Sequence, residues 1–296
     1  MVDHPTGHER PMTVDEWLSW GTRMLLELED APDREARGLM ASILGGVGSV
    51  VINGPRPLPP ELADLYVERI ARRRNREPFH LITGNVPFYG TIFSVCPGVL
   101  IPRPETELLI EQIFLRRQGC PPKSILELGG GSGAIICSLL SLFPEARGVA
   151  VDIEPAPLEC MMENRKRLSL ENRLSLLAGN WDDAILPGLP FDLIVSNPPY
   201  IASGEIMSLM DEVRNYEPHR ALDGGQDGLD CYRQILYSDI PYRVASGGLM
   251  AMEIGAGQRW AFESSGPFAL IEGFGPAEFV SDWAGHDRVV IWERKD

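Results

Sequence analysis

The chain has 296 residues, of which 44% are hydrophobic and 23% are charged, as in an ordinary folded globular protein. Asp and Glu (42) outnumber Lys and Arg (27), and a formal net charge of −15 repels phosphate backbones, so the composition disfavours nucleic acid as a partner. The length exceeds that of a usual single domain and predicts a small domain beside a large one.

The cysteines and the apolar runs exclude further classes of protein. Five scattered cysteines, none in a Cys-x-x-Cys pair, indicate neither a disulfide framework nor a zinc site, and we expect no metal. The longest nearly apolar run, residues 39–52, is broken by glycines and too short to span a bilayer, and no basic segment followed by an apolar one opens the chain. We expect a cytoplasmic, reduced monomer that binds no membrane.

Helical periodicity dominates residues 1–80, for which we predict a helical domain that docks the substrate. Thr13 with Glu16 three residues later matches a capping box, and apolar residues then recur at helical spacing. More helix is predicted through Leu44 and over residues 60–74, with a glycine-rich break between them. The arginines within residues 69–76 form a basic cluster, for which a solvated helix face is favoured over a docking surface.

Residues 81–120 are predicted to form a connector with a hairpin and a helix. Apolar residues alternate with polar and glycine residues over 77–102, which indicates a hairpin-like pair of strands. A helix is predicted over residues 108–117. The acidic Glu105 and Glu107 suit the positive amino end of that helix, and Thr106 is its predicted cap.

From Ser124 onward strands alternate with helices, which predicts an α/β fold with a doubly wound, mostly parallel, seven-stranded sheet over residues 121–296. Strands are predicted at 124–128, 148–152, 174–177, 191–195, 248–254, 278–281 and 288–292, and the main helices at 134–142, 156–168 and 228–238. In such a sheet, ligands bind at the carboxyl ends of the strands.

A glycine loop follows the first strand of this sheet. Its residues are Gly129, Gly130, Gly131, Ser132 and Gly133. The loop lets backbone N–H groups at a helix amino end approach a ligand without obstruction by side chains. The loop alone does not identify the nucleotide, because the chain also satisfies the G-x-G-x-x-A spacing of dinucleotide-binding folds.

The ends of the next two strands carry residues suited to an adenosine group. Asp152 can accept hydrogen bonds from both ribose hydroxyls. Trp181 can pack on an adenine face while Asn180 binds a ring-edge nitrogen. Together with the glycine loop, these residues favour a cofactor that contains adenosine.

The strand over residues 191–195 ends at a rigid corner, Asn197-Pro198-Pro199-Tyr200. The side-chain oxygen of Asn197 and the carbonyl of Pro198 can each accept a proton of a planar NH2 group, while Tyr200 stacks on the substrate. The nitrogen lone pair then points at a methyl donor. Amide nitrogen is a poor nucleophile, so orientation matters more than a strong base, and the sequence offers no candidate His. The corner alone does not choose between a nucleic-acid base and an amide.

At this point the sequence resembles a known family. The glycine loop and the corner are shared with many class I S-adenosylmethionine-dependent methyltransferases, including DNA adenine enzymes. Four further segments, at residues 77–84, 100–107, 215–229 and 284–291, resemble those of the release-factor glutamine N5-methyltransferases. The resemblance covers roughly residue 75 to the end, whereas the earlier residues match only in helical character.

The resemblance implies S-adenosylmethionine as cofactor, with S-adenosylhomocysteine as product. It implies cofactor contacts at residues 129–133, Asp152, Trp181 and Asn197, and substrate contacts at residues 197–200. It also implies that the substrate is the glutamine of a Gly-Gly-Gln motif in a peptide-chain release factor, and hence a role in translation termination. Two residues depart from the family pattern: Gly130 stands where Thr is usual, and Asn180 stands where an acid is usual.

Three other functions remain as alternatives. A nucleic-acid adenine or guanine amino-methyltransferase shares the corner, but the net charge and residues 100–107 argue against it. A ribosomal-protein glutamine methyltransferase is a nearer relative. A catalytically silent adaptor is disfavoured because the corner is intact. The chain's own Gly224-Gly225-Gln226 is expected to be a coincidence within a loop of the form Gly-Gly-x-Asp-Gly-Leu.

Overall fold

The computed structural model describes residues 12–27, 31–263 and 265–295. The chain divides into two compact units, one formed by Met1–Gly84 with Asp211–Tyr216 and the other by Asn85–Met210 with Glu217–Asp296. The first unit is therefore discontinuous in sequence. The division into docking domain, connector and catalytic domain stays a prediction, because compactness assigns no role.

The described residues form ten α-helices and nine β-strands. The helices are α1 (Val14–Leu25), α2 (Pro32–Leu44), α3 (Val47–Asn53), α4 (Pro60–Arg74), α5 (Phe79–Thr83), α6 (Glu107–Arg117), α7 (Ala134–Leu142), α8 (Pro155–Arg167), α9 (Asp211–Tyr216) and α10 (Asp230–Leu236). The strands are β1 (Asn85–Phe88), β2 (Thr91–Ser94), β3 (Ser124–Leu128), β4 (Arg147–Asp152), β5 (Leu174–Ala178), β6 (Phe191–Ser196), β7 (Val244–Glu253), β8 (Glu278–Ser281) and β9 (Asp287–Glu293).

The first unit is helical around an aromatic core. The predicted capping box begins α1: the Thr13 amide donates to Glu16 Oε2 at 2.8 Å, and the Glu16 amide donates to Thr13 Oγ1 at 3.3 Å. Trp17 stands edge-on to Trp20 and to Tyr66, with ring centroids 5.5 and 6.4 Å away. The prediction of a helical amino-terminal region is confirmed.

Arg73 corrects the prediction of a solvated basic face at residues 69–76. It is only 2% exposed, and its guanidinium binds the carboxylates of Glu35 in α2 and Glu212 in α9. It also donates to the carbonyl of Glu77 at 3.0 Å. Basic residues at helical spacing do not reveal such burial, because the two acids come from distant parts of the chain. Arg73 thus ties α9 to α2 and α4.

The second unit contains the doubly wound sheet predicted from the sequence. Within the described residues, seven strands follow the order β5-β4-β3-β6-β7-β9-β8. Strands β3 to β7 are mutually parallel, and β9 runs antiparallel to both β7 and β8. A separate antiparallel hairpin of β1 and β2 confirms the hairpin predicted within residues 77–102, although the start of that stretch, Phe79–Thr83, forms helix α5.

Helices cover both faces of this sheet. Side chains of a strand alternate between the two faces, and in β3 those on both faces are buried. Leu126 and Leu128 of β3 share a buried cluster with Tyr232 and Ile235 of α10. On the opposite face, Glu127 accepts a hydrogen bond from the backbone of α7. The two layers bury the strands and leave their carboxyl ends as the open edge.

No single helix among the described residues is long and apolar enough to cross a membrane, and only the pair α2 and α3, bent by 91°, meets the length and composition required.

Candidate active site

The carboxyl ends of four adjacent strands bring the predicted residues to one edge of the sheet. In spatial order, Trp181 follows β5, Asp152 ends β4, Gly129 follows β3 and Asn197 follows β6. Successive strands are added toward one side of the sheet from β3 to β5 and toward the other side from β6 onward. The strand order therefore reverses between β3 and β6, which is the switch point where open α/β sheets bind ligands. Ser196 Oγ donates to the Leu128 carbonyl at 2.8 Å and holds these two strand ends together.

A cavity of about 290 Å³ opens at this edge, near the lower end of the range for small-molecule sites. Its walls include six of the predicted cofactor residues and Pro199 of the corner. The six are Gly129, Gly131, Asp152, Asn180, Trp181 and Asn197. The sequence predictions missed further lining residues, among them Gly98, Leu100, Pro218, Arg220, Asp223 and Gln234. Most of these lie in the family segments at 100–107 and 215–229 or next to them, so the resemblance was the available signal.

The glycine loop is shaped by backbone requirements. Gly129, Gly131 and Gly133 have φ of 70°, 56° and 76°, which is the left-handed region that favours glycine. Gly130 is different, because a Cβ there would lie 2.5 Å from the Sδ of Met161. In this chain Met161 thus fills the space that a larger side chain at position 130 would need. Gly130, Ser132 and Gly133 are buried and lie outside the cavity wall.

Asp152 is braced by the backbone and keeps acceptor capacity toward the cavity. Its Oδ2 accepts from the Gly131 amide at 2.9 Å, and its Oδ1 accepts from the Glu154 amide at 3.1 Å. A carboxylate offers about four lone-pair positions, so acceptor capacity remains for a ligand. Burial raises the pKa of Asp152, and these backbone hydrogen bonds oppose that rise.

Trp181 is held in a defined orientation at the cavity wall. Its φ of 52° is uncommon for a residue other than glycine and is a form of strain that clusters at functional sites. The indole Nε1 donates to Gln234 Oε1 at 2.7 Å. The preceding Asn180 is exposed at the same wall. The pinned indole can present a ring face to a flat ligand.

Buried polar side chains hold the corner from behind. Asn197 Nδ2 donates to Thr106 Oγ1 at 3.3 Å, and Thr106 Oγ1 donates to Glu253 Oε2 at 2.6 Å. The Tyr200 hydroxyl donates to Glu253 Oε1 at 3.1 Å. Burial and the nearby Glu253 raise the pKa of Tyr200, so its phenol stays neutral. Pro198 is buried between these residues in the chain, and neither Pro198 nor Tyr200 is part of the cavity wall.

The predicted capping role of Thr106 is wrong. Thr106 makes no side-chain capping hydrogen bond, and a 3₁₀ turn over Pro104–Thr106 leads into α6 instead. The hydroxyl is turned to the Glu253 carboxylate because a charge-assisted hydrogen bond is roughly twice as strong as a neutral one. Glu253 escaped the sequence predictions altogether. A Glu at the end of the apolar strand β7 was the signal that could have identified it.

Glu217 joins two of the family segments. Its carboxylate accepts from the Ile101 amide at 3.2 Å and pairs with Arg103. Since the Glu217 side chain is 1% exposed, the pair fixes residues 100–107 against the segment that follows α9. Leu100 and Pro218 flank this link and line the cavity. The link therefore sets the position of two parts of the cavity wall.

The glycines of the loop at residues 224–228 have a structural role against the corner. A Cβ on Gly224 would lie 2.8 Å from the Pro199 carbonyl, and one on Gly228 would lie 2.4 Å from the Tyr200 carbonyl. Gln258 Nε2 donates to that Tyr200 carbonyl at 2.9 Å. The loop needs glycine at these two positions for this close approach.

Among the described residues, no group of three or more His, Cys, Asp or Glu side chains is placed to hold a metal ion. The cavity wall offers backbone amides, the carboxylates of Asp152, Glu154 and Asp223, the side-chain amides of Asn180, Asn197 and Gln234, the Arg220 guanidinium and the Trp181 ring.

Family models match both parts of the chain. The model described as "PrmC N-terminal domain" matches residues 16–84, and the "Methyltransferase small domain" matches residues 104–220. The first match extends the resemblance into the stretch where sequence patterns alone indicated only helix.

Curated relatives and solved structures agree with these matches. A protein of Rhodospirillum rubrum named release factor glutamine methyltransferase is 40% identical over 267 residues, which are 90% of this chain and 80% of the relative. One of the same name from Caulobacter vibrioides is 38% identical over 281 residues, 94% and 95% of the two chains.

Two solved structures share the fold at low sequence identity. A methyltransferase from Pyrococcus furiosus has a TM-score of 0.52 and 16% identity, with coverage of 77% of this chain and 99% of that one. A T. thermophilus 16S rRNA methyltransferase in complex with AdoMet and guanosine has a TM-score of 0.50 and 21% identity, with coverage of 72% and 50%. The fold is therefore that of the methyltransferases, and by its identity to the curated relatives over most of their length the chain belongs to the family of release factor glutamine methyltransferases.

Proposed function

We propose that this chain transfers the methyl group of S-adenosylmethionine to the side-chain amide nitrogen of the glutamine in the Gly-Gly-Gln motif of a peptide-chain release factor. The observation that carries the proposal is the shared cavity of Asn197, Pro199, Asp152 and the glycine loop, in a chain whose curated relatives bear this activity in their name. S-adenosylhomocysteine leaves as the product.

The cavity wall has the groups that this cofactor requires. Asp152 keeps acceptor capacity for ribose hydroxyls, and the amides of the glycine loop lie at the amino end of α7. The pinned indole of Trp181 supplies a face for the adenine ring. When bound, S-adenosylmethionine supplies an electrophilic methyl group.

The corner orients the nucleophile. The side-chain oxygen of Asn197 and the carbonyl of Pro198 each accept one proton of the glutamine NH2 group, which leaves the lone pair directed at the methyl donor. Both acceptors also stabilise the positive charge that develops on nitrogen. No His side chain lines the described cavity, in keeping with catalysis by orientation rather than by a strong base.

The remaining partner and location proposals follow from the same function. The helical unit, matched as a family domain of its own over residues 16–84, docks the release factor. The chain works as a monomer in the cytoplasm and makes no direct contact with nucleic acid or membrane. A net charge of −15 supports the exclusion of nucleic acid.

Mass spectrometry of a release factor treated with the chain and S-adenosylmethionine tests the proposal. We expect a gain of one methyl group on the motif glutamine, dependent on the cofactor. Asn197→Ala should abolish the gain while the protein stays folded. A release factor with that glutamine replaced is the matched substrate control.

A panel of DNA, ribosomal RNA and ribosomal proteins, assayed with labelled cofactor, compares the alternatives. Methylation of any of these in preference to the release factor, or a release factor left unmodified by a chain that binds the cofactor, refutes the proposal.

A further inference from the structure

A line of hydrogen bonds runs from Asn197 away from the cavity into the protein. Thr106 and Glu253, which extend it, are 3% and 2% exposed and lie outside the cavity wall. They come from distant parts of the chain, the turn before α6 and the end of β7. A buried carboxylate is costly to keep, so its position behind the corner requires an explanation.

The number of available protons decides which group donates each hydrogen bond along this line. A carboxylate only accepts hydrogen bonds, and Glu253 receives them from the hydroxyls of Thr106 at 2.6 Å and Tyr200 at 3.1 Å. Thr106 has a single hydroxyl proton, so its oxygen offers only lone pairs to Asn197. The side-chain amide of Asn197 must then turn its NH2 toward Thr106, as it does at 3.3 Å.

The pKa of Glu253 is raised overall, and its neighbours act against the effect of burial. Burial raises the pKa of Glu253, whereas the hydrogen bonds from Thr106 and Tyr200 and the positive charge of Arg288 oppose that rise. Glu105 nearby adds to the rise. The neighbours that donate to the carboxylate favour its ionised form, in which both hydroxyls point at it.

We propose that Thr106 and Glu253 are positioning residues that fix the side-chain amide of Asn197 so that its oxygen faces the substrate nitrogen. The inference rests on the proposed function, in which that oxygen accepts a proton of the glutamine NH2 group. A flipped Asn197 would turn its own NH2 toward the substrate NH2, and neither group could accept. The network therefore selects the productive orientation before the substrate arrives.

The decisive experiment separates the hydroxyl of Thr106 from its shape. Thr106→Val keeps the branched shape and removes the hydroxyl, whereas Thr106→Ser keeps the hydroxyl. We expect Thr106→Val to lower kcat on a release factor by roughly 10²-fold, the order of loss that follows misplacement of a reacting group. KM for the release factor and the Kd for S-adenosylmethionine should change less than about threefold. Thr106→Ser should restore kcat to within about threefold of wild type.

Ser138→Ala is the matched control. Ser138 is a buried hydroxyl of α7 that has no hydrogen-bond partner among the described residues, and its loss should leave kcat unchanged. Glu253→Met tests the other end of the line. Glu253→Met removes both acceptor oxygens, which frees the Thr106 proton for a flipped Asn197, so kcat should fall at least about tenfold at nearly constant KM.

The outcomes distinguish this inference from the proposed function. A wild-type chain that binds the cofactor but leaves the release factor unmodified refutes the function itself. An active wild type with an equally active Thr106→Val, or with Thr106→Ser as impaired as Thr106→Val, overturns the positioning role alone. If Thr106→Val does not fold, wild-type kcat in Glu253→Met overturns it.

Discussion

Replacement of Glu217 by Gln should destabilise the second unit and weaken cofactor binding. The Glu217 side chain is 1% exposed and accepts hydrogen bonds from both the Ile101 amide and the Arg103 guanidinium. Gln has the same shape but only one acceptor oxygen, so its NH2 must face one of these donors. One charge-assisted hydrogen bond is lost and a donor is left unpaired.

The size of the effect follows from the burial of the pair. A hydrogen bond to a charged group contributes about 1.5–3 kcal/mol. Arg103 is 31% exposed and can regain water, so we expect a loss of about 2 kcal/mol. For a domain of about 150–250 residues, this lowers the melting temperature by about 4–8 °C. Since Leu100 and Pro218 beside the link line the cavity, calorimetry should also show a weaker affinity for S-adenosylmethionine.

Glu154→Gln is the matched control in a thermal melt followed by calorimetry. Glu154 also pairs with an arginine, Arg220, at 2.8 Å, but the two side chains are 43% and 64% exposed. Exposed pairs contribute about 0–1 kcal/mol, so this melting temperature should fall by at most a few degrees. Equal shifts in the two variants would refute the argument that burial decides the loss.

Three further predictions concern stability, the corner and pH. Arg73→Met should destabilise the helical unit by about 2–3 kcal/mol, because the acids it pairs with lose their buried cation. Replacement of the exposed Arg74 by Met should cost less than about 0.5 kcal/mol. Hydrogen exchange of α4 peptides measures both. Gly228→Ala should lower kcat by shifting the Tyr200 carbonyl, since the new Cβ would lie 2.4 Å from it, and steady-state kinetics that match wild type would contradict this. Burial raises the pKa of Asp152 above the ordinary 3.8. The affinity for the cofactor should therefore fall on acidification, with a midpoint above that pH, because protonation removes the acceptor for the ribose. Titration calorimetry should find this pH dependence absent in Asp152→Asn.

The raised pKa of Asp152 also has a consequence for stability. A carboxyl whose pKa is higher in the folded protein than in the unfolded chain binds protons more readily when folded. Its contribution is therefore most favourable below the unfolded pKa and is lost as the pH rises through the folded pKa. At neutral pH this carboxylate costs the apoprotein stability, and a bound ribose would offset part of that cost.

The strands of the sheet could be predicted closely, because apolar runs with glycine or proline at their ends mark buried parallel strands. Strand β7 is the exception and begins at Val244, four residues before its predicted start at Gly248. The intervening residues are small or polar and weaken the pattern, but Val244 still pairs with Phe191 of β6. The short helices α3, α5 and α9 were missed, since seven, five and six residues are too few for periodicity to appear.

In the candidate site, too, some features could be predicted from local sequence and others could not. Residues that follow strands could be placed together in advance, because the carboxyl ends of parallel strands meet at one edge. The link from Thr106 to Glu253 could not, since 147 positions separate the two residues and only the folded chain brings them together. Local sequence favoured a helix cap for Thr106, and a distant carboxylate outcompeted it.

The discontinuity of the first unit affects the order in which the chain can fold. Glu212 of α9 reaches Arg73 of α4, yet the chain between Gly84 and Asp211 belongs to the other unit. At about 5–20 residues per second, a ribosome needs on the order of ten seconds to travel from one to the other. During synthesis Arg73 therefore lacks the Glu212 carboxylate until most of the sheet has been made. A fragment that stops at Gly84 would not contain Glu212 at all.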